Sequence, residues 1–144
     1  MKPIVRKHQA GFTLIEIMLV VVIIGILMTV VVVKFGGRQE EARVNAAKAD
    51  IKNYSTALDL FELDNGFYPS TEQGLQALIT QPSVAPAPIN WKGPYLQTQT
   101  LRPDPWGNSY IYKFPGDHVA NSYDLCSFGP NKVGGDDDDI CNYK

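Results

Sequence analysis

Hydrophobic and polar positions follow different patterns in successive parts of this 144-residue chain. Residues 12–33, "FTLIEIMLVVVIIGILMTVVVV", form an apolar run of 22 residues whose one charged side chain is Glu16. As a helix rising about 1.5 Å per residue, the run would span about 33 Å, close to the bilayer core of about 30 Å. A secretory signal core is shorter and ends in a small-residue cleavage site, which does not follow here. The run therefore predicts a retained transmembrane helix.

Beyond this run the pattern becomes that of an amphipathic helix. We predict one helix over residues 12–64, in which Gly36-Gly37 is the point most easily bent, because each glycine weakens a helix by about 1 kcal/mol relative to alanine. The apolar stripe must pack against another part of the chain or, as a short coiled coil, against a second copy. Its members recur three or four positions apart: Val44, Ala47, Ile51, Tyr54, Leu58 and Phe61.

The rest of the chain predicts a small antiparallel sheet with irregular connections. Ser70 and Gln73 resemble a capping box that opens a short helix ending near residue 80. Residues 110–114 and 121–128 read as two strands, which would cover the apolar face of the long helix. The predicted fold class is therefore α+β, with a long N-terminal helix. The first strand would direct three aromatic side chains to one face: Tyr110, Tyr112 and Phe114.

Charge separates the N-terminus from the remainder of the chain. Lys2, Arg6 and Lys7 precede the apolar run with no acidic residue among them, which predicts a cytoplasmic N-terminus and a C-terminal body beyond the inner membrane. Subtracting these three from the 13 Lys and Arg leaves ten basic against 15 acidic residues. We therefore expect no nucleic-acid partner. Cys126 and Cys141 favour one disulfide in an oxidising compartment, with two free buried thiols as the alternative.

Four consecutive aspartates, residues 136–139, lie in a glycine-rich segment between the two cysteines. Carboxylate, amide and backbone oxygens are the ligands that Ca²⁺ takes, and crowded carboxylates repel one another unless a cation or protons neutralise them. The spacing does not match an EF-hand. Composition alone leaves two interpretations open, a calcium site and a solvated acidic turn.

Motifs of catalysis are missing from the sequence. It contains no G-x-S-x-G, Walker A, C-x-x-C or H-E-x-x-H pattern. Its two histidines, His8 and His118, are far apart along the chain. We therefore do not expect an enzyme.

With these residues in view, the chain resembles a known family. The segment "GFTLIEIMLVVVIIGIL" is similar to the N-terminal signature of type IV pilin-like proteins. Together with "LDNGFYPSTEQGLQAL", "DPWGNSYIY" and "SFGPNKVGGDDDDI", it resembles the major pseudopilins of type II secretion systems, the G subunits, over nearly the whole chain. The resemblance implies a pilin-like fold and a structural subunit. Such subunits polymerise into a periplasmic pseudopilus that drives export of folded proteins across the outer membrane.

The resemblance also implies processing and assembly. The prepilin peptidase would cut between Gly11 and Phe12, and Phe12 would then be N-methylated. Glu16 would pair with the Phe12 amine of a neighbouring subunit, the alternative being that its carboxylate only reaches the membrane interface. Implied partners are further copies of the chain in a helical filament, the minor pseudopilins and the inner-membrane assembly platform. The implied regions are a leader at 1–11, a transmembrane and later filament-core helix at 12–34, and a periplasmic globular domain at 35–144.

In the C-terminal loop the resemblance implies a calcium site. Asn131 stands where the family usually has aspartate, and Val33 stands where it usually has a helix proline. The cysteine pair is not part of the family pattern. Carried over by position, the ligands would be the backbone of Phe128 and Val133, the side chains of Asn131, Asp138 and Asp139, and a group of Asp136.

Two alternative functions stay open at this point. One is a type IV pilin used for adhesion, motility or DNA uptake; a disulfide-closed C-terminal loop favours it, whereas the "DPWG" and acidic-loop motifs oppose it. The other is a membrane-anchored, calcium-dependent binding domain that never polymerises.

Overall fold

The computed structural model describes residues 11–144, and for residues 30–36 it describes the backbone alone. Of the predicted leader, all residues before Gly11 lie outside the described range. The chain divides into two compact units, the first ending at Gln39 and the second comprising Glu40–Lys144.

One α-helix, α1, covers Leu14–Asn65 and confirms the predicted long helix. It begins with a reciprocal cap, in which the backbone N–H of Glu16 donates to Thr13 Oγ1 (3.3 Å) and that of Thr13 to Glu16 Oε2 (3.4 Å). It ends where Gly66 takes a left-handed φ of 81° and donates to the carbonyl of Glu62 (2.7 Å). The predicted bend at residues 36–37 stays a prediction.

The apolar side chains of residues 14–29 are all exposed in the first unit. Within the part of the chain that the structure describes, no helix has both the length and the apolar character needed to cross a membrane.

In the second unit, the predicted stripe of α1 forms one side of the hydrophobic core. Five of its six members are buried, and Val44 packs against the core as a partly buried residue. Leu58 and Phe61 are fully covered, and residues from the rest of the same unit, such as Leu125 and Ile140, complete the cluster. The stripe is therefore buried by its own unit, as one of the two predicted packings requires.

The sheet has three short antiparallel strands in the order β1-β2-β3: Ile111–Lys113, Asp124–Ser127 and Ile140–Cys141. The first two confirm the predicted strands, with narrower bounds. On β1, Tyr112 is buried between two exposed neighbours, which agrees with the predicted aromatic face. The prediction did not include β3, because two residues directly after an acidic run show no alternation that could be read.

The predicted short helix after Ser70 is present but shorter than expected. The structure has a five-residue 3₁₀-helix at Gly74–Leu78. The capping box itself forms, since the N–H of Ser70 donates to Gln73 Oε1 (3.0 Å) and that of Gln73 to Ser70 Oγ (3.2 Å). The next residue, Gly74, has a φ of 58°, a left-handed conformation that stops an α-helix from continuing out of the box.

Candidate metal-binding loop

The acidic loop, residues 128–139, connects β2 to β3. At its base Cys126 and Cys141 are facing register partners with Cα atoms 4.2 Å apart, and they form a disulfide. The predicted disulfide is confirmed, and the alternative of two free thiols is wrong. Cross-linking residues 15 apart in sequence is worth about 3 kcal/mol in the chain-entropy model, so the loop ends are held together covalently.

A buried carboxylate, that of Asp104, supports the loop from the "DPWGN" turn. It is 3% exposed. Its Oδ1 accepts the backbone N–H groups of Trp106 (3.1 Å) and Asn108 (2.7 Å), which closes the turn. Its Oδ2 accepts the Ser127 hydroxyl (2.6 Å), and that same hydroxyl oxygen accepts the N–H of Gly129 (3.2 Å). Asp104 therefore joins the turn to the start of the acidic loop.

Sequence reasoning did not single out Asp104 or Ser127. The local signal for Asp104 was an aspartate followed by a proline and a glycine, the pattern of a side-chain-capped turn. Nothing local indicates that Ser127, far along the chain, supplies the second partner.

Glycines allow the two ends of the acidic loop to meet. Gly129 has a φ of 66°, and a Cβ added there would lie 2.7 Å from the carbonyl oxygen of Asp138. A Cβ on Gly134 would lie 2.5 Å from the Phe128 ring. The loop is thus curled too tightly to admit a side chain at Gly129, where the contact is with the backbone, whereas at Gly134 the Phe128 ring would have to move.

Asn131 lies between two of the predicted acidic ligands. Its Nδ2 donates to Asp136 Oδ2 (2.7 Å) and to Asp138 Oδ1 (2.8 Å). Its Oδ1 accepts the backbone N–H of Val133 (2.7 Å). The structure therefore brings Asn131, Asp136 and Asp138 together around one amide.

Asp139 has a different environment. It is 9% exposed, and its Oδ2 accepts the N–H of Gly135 (2.6 Å). Its Oδ1 is inaccessible to solvent and has no donor, and the same is true of Asp136 Oδ1. Buried acceptors without donors are costly, and oxygen atoms of this kind suit a hard cation. In the described chain, no three His, Cys, Asp or Glu side chains are grouped to hold a metal. The group found in the acidic loop consists of the Asp136 and Asp138 carboxylates around the Asn131 amide.

The neighbouring carboxyls of Asp136 and Asp138 affect each other's protonation. The pKa of Asp136 is lowered, first by a hydrogen bond from the Asp138 carboxyl and second by the Asn131 amide. The pKa of Asp138 is raised, first because its protonated form donates to Asp136 and second by burial. The pair is thus placed to share a proton or to accept a positive charge.

A second polar cluster joins the C-terminal residues to the segment before β2. The buried carboxylate of Asp124 accepts the backbone N–H of Asp117 (2.8 Å) and the Nδ1–H of His118 (2.9 Å). Burial would raise the pKa of Asp124, but these hydrogen bonds lower it below its ordinary value. The His118 ring stacks on Tyr143, with centroids 4.2 Å apart.

The roles of the remaining predicted site residues stay predictions. Phe12 is 80% exposed in the first unit, and Glu16 lies in the first turn of α1. In the acidic loop, Phe128 is half-buried and Val133 is exposed.

Two protein families match the chain. The family described as "Type II secretion system (T2SS), protein G" matches residues 34–143. The family described as "Prokaryotic N-terminal methylation motif" matches residues 6–32, which contain the predicted cleavage and methylation positions.

Relatives and a solved structure agree with these matches. The chain is 51% identical over 136 residues to "Type II secretion system core protein G" of Pseudomonas aeruginosa, covering 93% of each chain. It is 46% identical over 136 residues to the protein of the same description from Escherichia coli K12, covering 94% of this chain and 91% of that one. The crystal structure of the major pseudopilin from the type 2 secretion system of enterohaemorrhagic Escherichia coli superposes with a TM-score of 0.65 at 36% identity, covering 76% of this chain and 93% of that one. The chain belongs to the protein G family of type II secretion systems, the major pseudopilins.

Proposed function

We propose that this chain is the structural subunit of a periplasmic pseudopilus and that its polymerisation drives export of folded proteins across the outer membrane. One observation carries the proposal, the protein G match over residues 34–143. The methylation motif at residues 6–32 supports it. The family is one of structural subunits, in keeping with the missing catalytic motifs.

The N-terminal region would serve first as an anchor and then as the filament core. In this proposal residues 12–34 hold the subunit in the inner membrane, with the N-terminus cytoplasmic and residues 35–144 periplasmic. Exposed apolar side chains throughout residues 14–29 support it, since such a surface requires a lipid or protein covering. Further copies, minor pseudopilins and the inner-membrane assembly platform would be its partners.

Mass spectrometry of the mature protein tests the processing step. The prepilin peptidase would remove residues 1–11 and leave Phe12 at the N-terminus. We expect the mass to lack those residues, to carry one added methyl group, and to be two hydrogens short because of the disulfide. A strain without the peptidase is the control. An uncut chain in the wild-type strain would contradict the proposal.

Glu16→Ala tests assembly. If the Glu16 carboxylate pairs with the Phe12 amine of a neighbour, the variant should insert in the membrane but fail to form normal filaments. Glu41→Ala, a change at an exposed position of α1 in the second unit, is the control. Normal filaments from the Glu16 variant would contradict the pairing. A wild-type chain that never assembles would favour an anchored binding domain instead.

We also propose that the acidic loop binds calcium. The side chains of Asn131, Asp136, Asp138 and Asp139 would hold it, together with the backbone of Phe128 and Val133. Support comes from the two buried carboxylate oxygens that have no donor and from the all-oxygen character of the set. Chelator should lower the melting temperature, and Ca²⁺ but not Mg²⁺ should restore it. An unchanged melting temperature, with no binding by titration, would contradict the site.

The second candidate function is a type IV pilin, favoured by the Cys126–Cys141 disulfide around the C-terminal loop. Deleting the gene separates the two. Loss of folded enzymes from the medium with surface pili intact supports the pseudopilus, and the opposite result supports the pilin.

A further inference from the structure

In the acidic loop the neutral amide of Asn131 lies between the carboxylates of Asp136 and Asp138. Asn131 uses both N–H bonds of its amide on Asp136 and Asp138, at 2.7 and 2.8 Å. The orientation of the amide is fixed by its other end, because Oδ1 accepts the N–H of Val133 at 2.7 Å. Reversing the amide would place two donors opposite each other at Val133 and an oxygen beside the two carboxylates.

This arrangement supplies what two neighbouring carboxylates need, namely positively polarised hydrogens between them. An aspartate at position 131 could still accept from Val133, but its second oxygen would bring a third negative charge to Asp136 and Asp138. Like charges at this distance destabilise one another unless a cation or protons intervene. With asparagine, two N–H donors face the carboxylates and no third negative charge is added.

We propose that Asn131 is an internal cross-link that ties Asp136 to Asp138 across the acidic loop. Its NH₂ group competes with a cation, which must displace it from these two carboxylates before the Asn131 oxygen can serve as a ligand. The first part stands on the hydrogen bonds alone. The second part rests on the calcium site proposed above.

Two other contacts also hold the acidic loop closed, and they limit the stability lost when Asn131 is replaced. The disulfide fixes its base, and Lys144 Nζ donates to the carbonyl of Asp136 (2.5 Å). Asn131 itself is exposed, so its hydrogen bonds compete with water. We therefore expect replacement of Asn131 to cause a moderate loss of stability rather than unfolding.

The test compares full-length wild type, Asn131→Asp and Asn131→Ala in detergent, each with chelator and with Ca²⁺. In chelator the melting temperature should be highest for the wild type and lower for N131A. It should be lowest for N131D, about 5 °C below that of the wild type. With Ca²⁺, N131D should bind about tenfold more tightly than the wild type, because it gains a charged ligand and loses the competing amide. Asn90→Asp controls for added charge, because Asn90 is exposed in residues 81–94, a proline-rich loop distant in sequence from the acidic loop.

The outcomes separate the two parts. Equal melting temperatures for all three chains in chelator would overturn the cross-link. N131D binding Ca²⁺ no more tightly than the wild type would overturn the competition. If no chain binds Ca²⁺, the calcium site and the competition both fail, and the chelator comparison alone still decides the cross-link.

Discussion

Asp104 and Asp139 are both buried aspartates near the acidic loop, 3% and 9% exposed, yet their surroundings differ. Both oxygens of Asp104 accept hydrogen bonds, three from its own turn and one from Ser127. One oxygen of Asp139 accepts from Gly135, and the other has no donor. Asp104 and its partners Trp106, Asn108 and Ser127 thus form a complete hydrogen-bonded cluster, which we call the brace. Asp139 has an incomplete set of partners. The chain itself satisfies both oxygens of Asp104, whereas it leaves one buried oxygen of Asp139 without a donor.

The largest expected loss of stability is that of Asp104→Ala, which tests whether the Asp104 carboxylate has a structural role. The change leaves two backbone N–H groups and the Ser127 hydroxyl without their acceptor, so we expect a loss of about 3 kcal/mol in the free energy of unfolding. Urea denaturation measures it. Ser127→Ala removes one of the four bonds to Asp104 together with the acceptor of the Gly129 N–H, and should lose less, about 2 kcal/mol. If the two variants are equally stable, Asp104 is not the centre of the brace.

Gly129→Ala tests whether the brace must bring the loop ends into contact. An added Cβ would meet the Asp138 carbonyl at 2.7 Å, in a backbone conformation that already disfavours alanine. We expect a loss of about 2 kcal/mol. Gly135→Ala is the matched control, since Gly135 also has a positive φ, 98°, but no atom within 4 Å of the added Cβ. Equal losses would assign the whole effect to backbone strain and none to the close approach.

The smallest expected effect is the pH dependence of the Asp124 contacts. Because the pKa of Asp124 is below its ordinary value of 3.8 in the folded chain, its contribution is present above about pH 4 and disappears as the pH falls through the lowered pKa. Between pH 6 and pH 3 the wild type should lose about 1 kcal/mol more than Asp124→Asn. Urea denaturation at the two pH values measures it, with Asp117→Asn as an exposed control. Identical losses for wild type and D124N would show that the ionised Asp124 carboxylate does not contribute to stability.

Periodicity predicted the parts of the fold that a local pattern specifies. The stripe from Ala47 to Phe61 and the alternation around Tyr112 appear in the sequence because helix and strand each repeat with a fixed period. The short helix after the Ser70 capping box was predicted with bounds that were too wide, because the left-handed backbone of Gly74 delays its start to that residue. Strand β3 could not be predicted, because its two residues gain their structure only by pairing with β2.

In the candidate site, too, some features could be predicted from the sequence and others could not. Composition pointed to the aspartates, and the disulfide followed from two cysteines in a chain with an exported character. The role of Asn131 between Asp136 and Asp138 could not be read, because an asparagine in an acidic loop suggests an extra oxygen ligand. Which end of its amide faces the carboxylates depends on the N–H of Val133, a backbone group that the sequence leaves unspecified.

The two tryptophans offer a way to observe these regions optically. Trp106 Nε1 donates to Glu40 (2.8 Å) two residues beyond Asp104, and Trp91 Nε1 donates to the carbonyl of Ala77 (3.0 Å) beside the proline-rich loop. Both rings are half-buried, so a change in their surroundings would alter the wavelength and intensity of emission. A chain that retains only Trp106 would report fluorescence from the brace of the acidic loop. A chain that retains only Trp91 would serve as the internal reference for the rest of the second unit.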